Sequence, residues 1–488
     1  MLNKKLIAIS GAIFLAGGLL VLIKSHEILS VTERFLSRTL NDKFWSTGLQ
    51  YAGTSLILCA STTFLFFFFY KKHQKSTLLG SAALWALSFI CFVLLNTVNI
   101  PYHDDYYFLE FLNAYTEKKD LSKIFHQGNE SRFIFLNSIS LLLYYMGVFN
   151  FKTLVMIALI CLLGSSLILF YSSKLEIKNK PFMVLLLAIL LFQFQYYDAV
   201  VWVSGALYNS CTLFFAMTSI FFLSPDRKNG LLPAIASSLL SVSCCGAGFI
   251  SLVIGSAILI MNRKIRESIF WTAISVSVLI LYLTNYSFGG SHYGNAGGTQ
   301  YLMDKVFSCL LFSPVFLGGS VQFLYQIYAP FILGLFVWFT FFFSTWKKYY
   351  LKNPVIYYSL LFTLLISFAP PFFRNNLPAC EGINIRYGIY SIFSLACTVM
   401  IWSEMIRRKK VRILFVYLFP VGIVFHLLTG IFFYPEVVLR VEKGKTMARN
   451  FKRINSVILP APYKQGPSNA VFLFNVCREK NIYHLPEE

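Results

Sequence analysis

Two adjacent carboxylates, Asp104 and Asp105, lie where a long apolar stretch, Thr77 to Ile100, gives way to an amphipathic run from Tyr106 to Tyr115. Acids at a membrane surface are costly to desolvate unless a proton, a cation or a substrate answers them, so the pair predicts a site. One carboxylate could take the proton of an attacking hydroxyl, and either could hold a divalent cation, Mg²⁺ or Mn²⁺, beside a phosphate leaving group. The alternative is that the acids cap the following helix.

Three arginines carry the complementary charge near later apolar stretches. Arg132 opens the stretch Phe133 to Asn150, Arg386 opens Tyr387 to Met405, and Arg374 lies in the polar connection before Arg386. Guanidinium groups bind phosphate oxygens bidentately, so two or three of them converging on one cavity would fit a phosphate or pyrophosphate. A lone arginine at a helix end is more commonly an interface anchor.

A third group of candidates combines aromatic and polar residues. Asp198 and Trp202 lie close in sequence to Tyr196, Tyr197, Gly205 and Tyr208. An aromatic platform beside a carboxylate suits a sugar ring, and an interfacial aromatic belt is the alternative for the tyrosines. His292 lies in the glycine-rich connection from Ser287 to Asp304, which could order over a substrate or could be a passive connector.

The composition predicts the elements that must position these residues. Of the 488 residues, 57% are hydrophobic and 13% are charged, whereas a soluble domain carries about 25% charged residues. The apolar stretches are continuous and long enough to cross a bilayer, which predicts helices and excludes the alternating strands of a barrel. We expect an all-α polytopic membrane protein with roughly eleven to thirteen transmembrane helices. The expected spans are Leu6 to Ile23, Tyr51 to Tyr70, Thr77 to Ile100, Phe133 to Asn150, Thr153 to Tyr171, Phe182 to Tyr197, Ala206 to Leu223, Leu231 to Met261, Ile269 to Tyr286, Tyr328 to Phe343, Val355 to Phe372, Tyr387 to Met405 and Ile413 to Tyr434.

Short basic connections predict the orientation of these spans, because loops rich in Lys and Arg stay in the cytoplasm. They contain Lys71, Lys72 and Lys75; Arg227 and Lys228; Arg263, Lys264 and Arg266; Lys347, Lys348 and Lys352; and Arg407, Arg408, Lys409, Lys410 and Arg412. The net charge of +21 therefore indicates topology and contact with anionic membrane lipids, and no nucleic-acid partner is expected. The candidate residues fall on the outer side if the chain crosses once between Arg132 and Lys174, with another segment along the interface.

Several other chemistries have no motif in this chain. No CxxC, HExxH, P-loop or GxSxG pattern is present, which argues against zinc proteolysis, ATP hydrolysis and serine-hydrolase chemistry. Most of the 10 cysteines lie inside apolar stretches and should behave as small hydrophobic residues. Cys380 and Cys477 fall in expected outer segments and could pair.

The chain resembles the GT-C superfamily of integral-membrane glycosyltransferases, most nearly bacterial members that decorate surface polysaccharide. The stretches that carry the resemblance are PYHDDYYFLEFLNAY, NESRFIFLNS, DAVVWVSGALYN and NIRYGIYS. The likeness implies a GT-C-like bundle over residues 1–434, with 101–132 as the first large catalytic loop, and a small extracytoplasmic extension over 435–488. It also implies that Asp104 or Asp105 is the base or the metal-binding acid. The chain departs from the superfamily in having two apparent helices before the one that leads to the acidic loop.

By that resemblance, the chain transfers a sugar from a polyprenyl-phosphate or polyprenyl-pyrophosphate carrier to a glycan or glycolipid acceptor. The reaction would take place at the bacterial inner membrane, on the side that faces the periplasm or the cell exterior, with Arg132 and Arg386 balancing the departing phosphate. A polysaccharide polymerase is one alternative, although it needs mainly cationic outer loops. A transporter or flippase of lipid-linked sugars is the other, although such proteins usually show internal repeats, which this sequence lacks.

Overall fold

The structure is a computed structural model of the full chain. It describes residues 75–128, 131–227, 229–286, 299–325, 327–373, 378–406, 408–454 and 470–484, together with the single positions 16, 19, 50 and 55. Two expected spans, Leu6 to Ile23 and Tyr51 to Tyr70, fall outside these ranges. Within the ranges, helices dominate and the one sheet is a pair of two-residue antiparallel strands, β1 (Gln127–Gly128) and β2 (Ser131–Arg132). The expected all-α polytopic membrane fold is confirmed.

Helices of eight residues or more within the described ranges are labelled α1 to α15 in chain order. They are α1 (Lys75–Asn96), α2 (Tyr106–Lys118), α3 (Ile134–Tyr145), α4 (Phe151–Ser172), α5 (Lys180–Leu191), α6 (Val203–Leu223), α7 (Leu231–Cys244), α8 (Phe249–Met261), α9 (Ile265–Leu283), α10 (Thr299–Leu317), α11 (Tyr328–Trp346), α12 (Pro354–Ile366), α13 (Gly388–Met405), α14 (Arg408–Ile454) and α15 (Ala470–Glu479).

Shorter helical turns connect these helices. They are His103–Asp105, Leu121–Phe125, Phe194–Tyr196, Asp198–Val201, Gly246–Gly248, Gly319–Val321, Gln322–Tyr325, Tyr349–Lys352, Ala369–Phe373, Ala379–Ile383 and Ile385–Tyr387. One further irregularity lies inside α6, where Leu207–Cys211 forms a π turn.

Eight helices in the described ranges are long and apolar enough to cross a membrane, and five apolar helices are shorter. The eight are Lys75–Asn96, Phe151–Ser172, Val203–Leu223, Ile265–Leu283, Tyr328–Trp346, Pro354–Phe372, Ile385–Met405 and Tyr417–Thr446. The last of these lies within α14, so residue 434, where the sequence analysis ended the membrane domain, falls inside a continuous helix.

The segment between Arg132 and Lys174 holds one long span and one short helix. The expected span Phe133 to Asn150 is reduced to α3, whose 12 residues extend about 18 Å, short of a hydrocarbon core of about 30 Å. It lies beside α2, and a hydrogen bond connects the hydroxyl groups of Tyr115 in α2 and Tyr145 in α3. This arrangement agrees with a single net crossing, made by the 22 residues of α4.

The expected long span Leu231 to Met261 is broken into α7 and α8. Cys245 has extended backbone angles, and the turn Gly246–Gly248 follows it before α8 begins. A Cβ atom on Gly248 would lie 2.2 Å from the carbonyl oxygen of Ser241, so the chain can turn back this tightly only because residue 248 has no side chain. The break places the first turn of α8 beside the last turn of α7.

Contacts divide the chain into two compact units. The first contains residues 1–96, 173–197 and 402–440, and the second contains 97–172, 198–401 and 441–488. In the first unit, α1 and α14 meet where the ring of Trp85 lies edge-on to His426 with centroids 4.4 Å apart. The Thr429 hydroxyl donates to the side-chain oxygen of Gln193 over 2.9 Å, which joins α14 to the residues after α5.

Replacing Gly248 by Ala should destabilise the second unit by about 1–3 kcal/mol, because the new methyl group overlaps a main-chain carbonyl that cannot move aside alone. The matched control is Gly80→Ala in α1, where a Cβ atom meets nothing within 4 Å. This variant should be more stable by about 0.5–1 kcal/mol, because Ala favours a helix more than Gly does. Thermal unfolding in detergent, followed by tryptophan fluorescence, measures both. Equal melting temperatures for the two variants would contradict the packing described at Gly248.

Candidate active site

A cavity of about 700 Å³ lies in the second unit. Its polar lining residues in the described part of the chain include Asp104, Tyr208, Asn209, Arg386, Tyr387 and Tyr390. Its apolar lining residues include Val253 and Phe372, whose side chains are 64% and 62% exposed. The cavity therefore combines charged groups with an apolar wall that reaches the outer surface of the helices.

Helix ends line this cavity. They are the N-terminal ends of α6, α8 and α13, and the C-terminal ends of α9 and α12. At its far end α6 precedes Arg227, the α8–α9 connection contains Arg263 and Lys264, and α12 follows Lys352. The cavity consequently lies at the end of the unit away from these basic connections.

The π turn in α6 presents two consecutive residues to the cavity. Residues that follow one another in an ordinary α-helix point about 100° apart, and a π turn widens the helix locally. Tyr208 and Asn209 both line the cavity. The Tyr208 ring stacks on Phe133 with centroids 6.0 Å apart, and its hydroxyl donates to Asp104 Oδ2 over 3.3 Å. Tyr208 thereby joins the acidic turn to α6.

Asp104 and Asp105 face different surroundings. Asp105 is 1% exposed; its Oδ1 accepts from the amide of Ser204 at 2.8 Å and the hydroxyl of Ser204 at 2.5 Å. Its Oδ2 accepts from the amide of Tyr102 at 3.0 Å. Asp104 lines the cavity. Asp105 occupies the N-cap position of α2, but its side chain makes no hydrogen bond that caps the helix, so the structure does not support the alternative in which it acts as a cap.

Trp202 belongs with Asp105. Its indole nitrogen donates to the carbonyl of Tyr102 over 3.0 Å, and the side chain is buried. Asp105, Tyr102, Ser204 and Trp202 form what we call the Asp105 network, which fastens the turn before α2 to the start of α6. Trp202 is therefore placed to support the acidic turn, since it is not among the described residues that line the cavity.

Asp198 begins the short helix Asp198–Val201, which packs against the turn Ile385–Tyr387. That turn carries Arg386, so Asp198 lies on an element that supports this arginine. Neither Asp198 nor Asp105 is among the described lining residues, and Asp104 is the acid that the cavity contains.

Arg132 uses its guanidinium group on the main chain. Nε donates to the Tyr282 carbonyl over 2.8 Å, and the two terminal nitrogens donate to the carbonyls of Phe125 and Thr284, each over 2.5 Å. The first and last of these carbonyls lie at the C-terminal end of α9, where a cation is favoured. The side chain is 8% exposed. Arg132 thus clamps the loop before α3 to the end of α9. This role differs from both of the roles considered for it in the sequence, phosphate binding and interface anchoring.

Arg386 has more freedom. It lines the cavity with its guanidinium carbon 5.0 Å from the centre of the Tyr387 ring, and its main-chain amide donates to Asn384 Oδ1 over 3.3 Å. Its Nε is buried and has no hydrogen-bond partner among the described residues. Both Arg386 and Asp104 are close enough to act electrostatically on the Tyr208 hydroxyl. An arginine that lines a cavity and retains a donor without a hydrogen-bond partner is suited to an anionic ligand.

Two groups on α2 extend the polar surface next to Asp104. Burial, followed by the charges of Asp104 and Glu110, raises the pKa of Tyr107. Burial also raises the pKa of the Glu110 carboxyl. Tyr107 is thus near both acids, and its ring lies 6.2 Å from that of Phe133, which lines the cavity.

The expected divalent cation finds few ligands here. Among the described residues, no group of three or more His, Cys, Asp or Glu side chains could hold a metal ion. Both oxygens of Asp105 already accept hydrogen bonds from Tyr102 and Ser204, which leaves Asp104 as the acid that faces the cavity. The donor set does not fit a Mg²⁺ or Mn²⁺ ion held by the pair.

Two sequence-based candidates, His292 and Arg374, lie outside the described residues. Cys380 and Cys477 are both free, so the disulfide that they could have formed is absent. Tyr208 was anticipated only as part of an aromatic turn, and nothing in its local sequence distinguishes it from its tyrosine neighbours.

No protein-family model, curated protein or solved structure matches the chain. The class of protein that the fold defines is a multi-pass, all-α membrane protein. Its function is therefore inferred from the geometry of the cavity.

The Asp105→Asn variant should fold less stably, by about 1–3 kcal/mol, because an amide nitrogen would face the amide donor of Tyr102 or those of Ser204. Asp120→Asn is the control, since Asp120 accepts from the neighbouring Ser122 in an exposed turn and Asn also suits such a position. Thermal unfolding of both variants tests this. An unchanged melting temperature in Asp105→Asn would contradict the Asp105 network.

The Arg132→Lys variant should loosen the loop over 119–131, because one ammonium group cannot reach three separate carbonyls. Limited proteolysis in membrane vesicles should cut this loop faster, with a loss of stability of about 1–3 kcal/mol. Arg478→Lys is the control, because Arg478 is exposed and contacts Asn475 on its own helix at 3.5 Å. Equal cleavage of the two variants would exclude the clamp.

Proposed function

We propose that the chain is a GT-C-type glycosyltransferase, which moves a sugar from a polyprenyl-phosphate or polyprenyl-pyrophosphate carrier to a cell-surface glycan or lipid acceptor. One observation carries the proposal. A single cavity contains the carboxylate of Asp104, the guanidinium group of Arg386 and an apolar wall that includes the exposed side chains of Val253 and Phe372. Sugar, phosphate and polyprenyl chain each require one of these surfaces.

In the proposed reaction, the Asp104 carboxylate accepts the proton of an acceptor hydroxyl. The hydroxyl oxygen forms a bond to the anomeric carbon, and the bond from that carbon to the carrier phosphate breaks, with its electron pair leaving on the phosphate oxygen. Arg386 binds that phosphate through a guanidinium group whose Nε has no other partner among the described residues. Tyr208 holds Asp104 in place through its hydroxyl group.

Burial in the Asp105 network gives this mechanism a defined base. Asp105 is 1% exposed, and both of its carboxylate oxygens already accept hydrogen bonds from Ser204 or Tyr102, so neither faces a substrate. Asp104 receives the weaker, 3.3 Å hydrogen bond from Tyr208 and lines the cavity. Asp104 is consequently the acid that we assign as the base, and Asp105 is its positioning residue.

The position of the cavity supports an extracytoplasmic reaction. The helices that line it reach the basic connections around Arg227, Arg263 and Lys352 at their other ends. Basic loops of this length stay in the cytoplasm, so the cavity would face the periplasm or cell exterior of a bacterial inner membrane. Exposed apolar residues on α9, such as Ile280 at 63%, are consistent with lipid contact beside the cavity.

Membrane vesicles that contain the wild-type chain should transfer label from polyprenyl-phosphate sugars to an acceptor. Asp104→Asn should reduce this rate by about 10²–10⁴-fold, as loss of a general base does. Arg386→Lys should weaken use of the carrier, because an ammonium group cannot bind a phosphate bidentately. Asp120→Asn is the matched acid control and should keep full activity.

Undiminished transfer by a folded Asp104→Asn variant would exclude the proposed base. The product made in cells separates transfer from polymerisation. A deletion strain that lacks one sugar or side branch supports a transferase, whereas surface chains reduced to a single repeat would indicate the polysaccharide polymerase instead. Transport of an intact lipid-linked sugar without bond cleavage would indicate the flippase.

A further inference from the structure

The C-terminal segment, residues 470–484, is folded and packs next to the acidic turn. Its helix α15 buries Leu473, Phe474 and Cys477 on one face. The helix ends at Glu479, and Asn481, two residues further on, has a left-handed φ of 54°; the amides of Asn481 and Ile482 donate to the carbonyls of Arg478 and Cys477. This is the Schellman arrangement, and Asn is among the few residues that adopt it readily. The chain is thereby turned so that Tyr483 points back into the unit.

Tyr483 contacts the chain that leads into the acidic turn. Its hydroxyl donates to the carbonyl of Asn99 over 2.6 Å, and its side chain is 3% exposed. Asn99 also donates to the carbonyl of His484 over 3.3 Å and accepts from the amide of Phe151 over 3.0 Å. Burial raises the pKa of Tyr483, and the nearby Tyr106, Cys477 and Asp105 raise it further. The Tyr483 hydroxyl is therefore a neutral donor fixed close to the Asp105 network.

Two further contacts join the segment to α2, the helix that follows Asp105. The ring of Phe474 lies 5.8 Å from that of Tyr106, at the first residue of α2. Lys480 Nζ donates to Asn113 Oδ1 over 2.7 Å and to Glu117 Oε1 over 2.6 Å, near the last turn. The hydrogen bond and the charge of Lys480 lower the pKa of Glu117, so the Glu117 carboxylate stays ionised at neutral pH. The segment thus fastens both ends of α2.

We propose that residues 470–484 are a positioning element for the cavity, in which Tyr483 and Lys480 hold the chain on both sides of Asp104 so that this acid faces its substrate. The inference rests on the proposed function for the role of Asp104. It assigns to the C-terminal segment an action through the acidic turn, because Tyr483 and Lys480 are absent from the described lining of the cavity.

The Asp105 network explains why two fastenings are needed. Ser204 and Trp202 hold the turn from the side of α6, and they leave the preceding residues 97–101 and the far end of α2 to be held by other groups. Asn99 and Glu117 lie in those two parts, and both bind the C-terminal segment. A change at residue 480 or 483 should consequently reach Asp104 through the main chain.

Hydrogen exchange of the full chain in detergent micelles tests the contact without any assay of transfer. Tyr483→Phe keeps the ring and removes the hydroxyl, so exchange over 97–106 should become about tenfold faster. Lys480→Met should have its largest effect over 110–118. The controls are Tyr417→Phe at an exposed tyrosine, 68% exposed, and Arg478→Met on the exposed face of α15. Exchange that stays unchanged over 97–118 in both test variants would overturn the proposal.

Sugar transfer from a labelled polyprenyl-phosphate sugar supplies the second measurement. Both test variants should lower kcat about ten- to a hundredfold with little change in KM for the carrier, because misplacing Asp104 slows chemistry while Arg386 still binds phosphate. Lys480→Arg should restore most of the rate. Faster exchange with an unchanged kcat would also overturn the positioning role. If the wild-type chain transfers no sugar, the proposed function fails by itself, and the exchange data still decide whether the segment holds the acidic turn.

Discussion

The buried carboxylate of Asp105 is the constraint on which the cavity depends. A charge taken out of water is strongly unfavourable unless hydrogen bonds replace its hydration, and Asp105 receives them from Ser204 and from the amide of Tyr102. Those bonds form only when the turn His103–Asp105 lies against the first turn of α6. Because Asp104 is the preceding residue, the same bonds set the backbone from which its side chain reaches the cavity. Tyr208 then meets Asp104 from the next turn of the same helix.

The four charged residues at the site form two pairs, one acidic and one basic. In each pair, one residue supports the structure and the other lines the cavity. Asp105 and Arg132 are both buried, and the charged group of each makes hydrogen bonds that hold a loop to a helix end. Asp104 and Arg386 line the cavity and keep capacity for a ligand. Buried charges with several hydrogen bonds are rigid, so each can hold its neighbour in a fixed place. The acid and the arginine that line the cavity are in this way supported by buried groups of the same two kinds.

The sequence was sufficient for the fold class and for part of the site. Long continuous apolar stretches identify spanning helices, and acids and arginines at their ends identify Asp104 and Arg386 as candidates. It could not show which member of each pair faces the cavity, because the decisive partners are distant. Ser204 lies 99 residues from Asp105, and Tyr282 lies 150 residues from Arg132. The tight reversal of the chain at Gly248 could not be predicted either, because apolar periodicity does not record the close approach of one main chain to another.

Arg132 binds the main chain of Phe125 and Thr284 and not their side chains. Every residue type offers the same carbonyl oxygen, so the clamp places no demand on what occupies positions 125 and 284. The path of this loop is thus independent of the side chains at positions 125 and 284. New side chains could be introduced along it while the acid and the arginine of the cavity stay where they are.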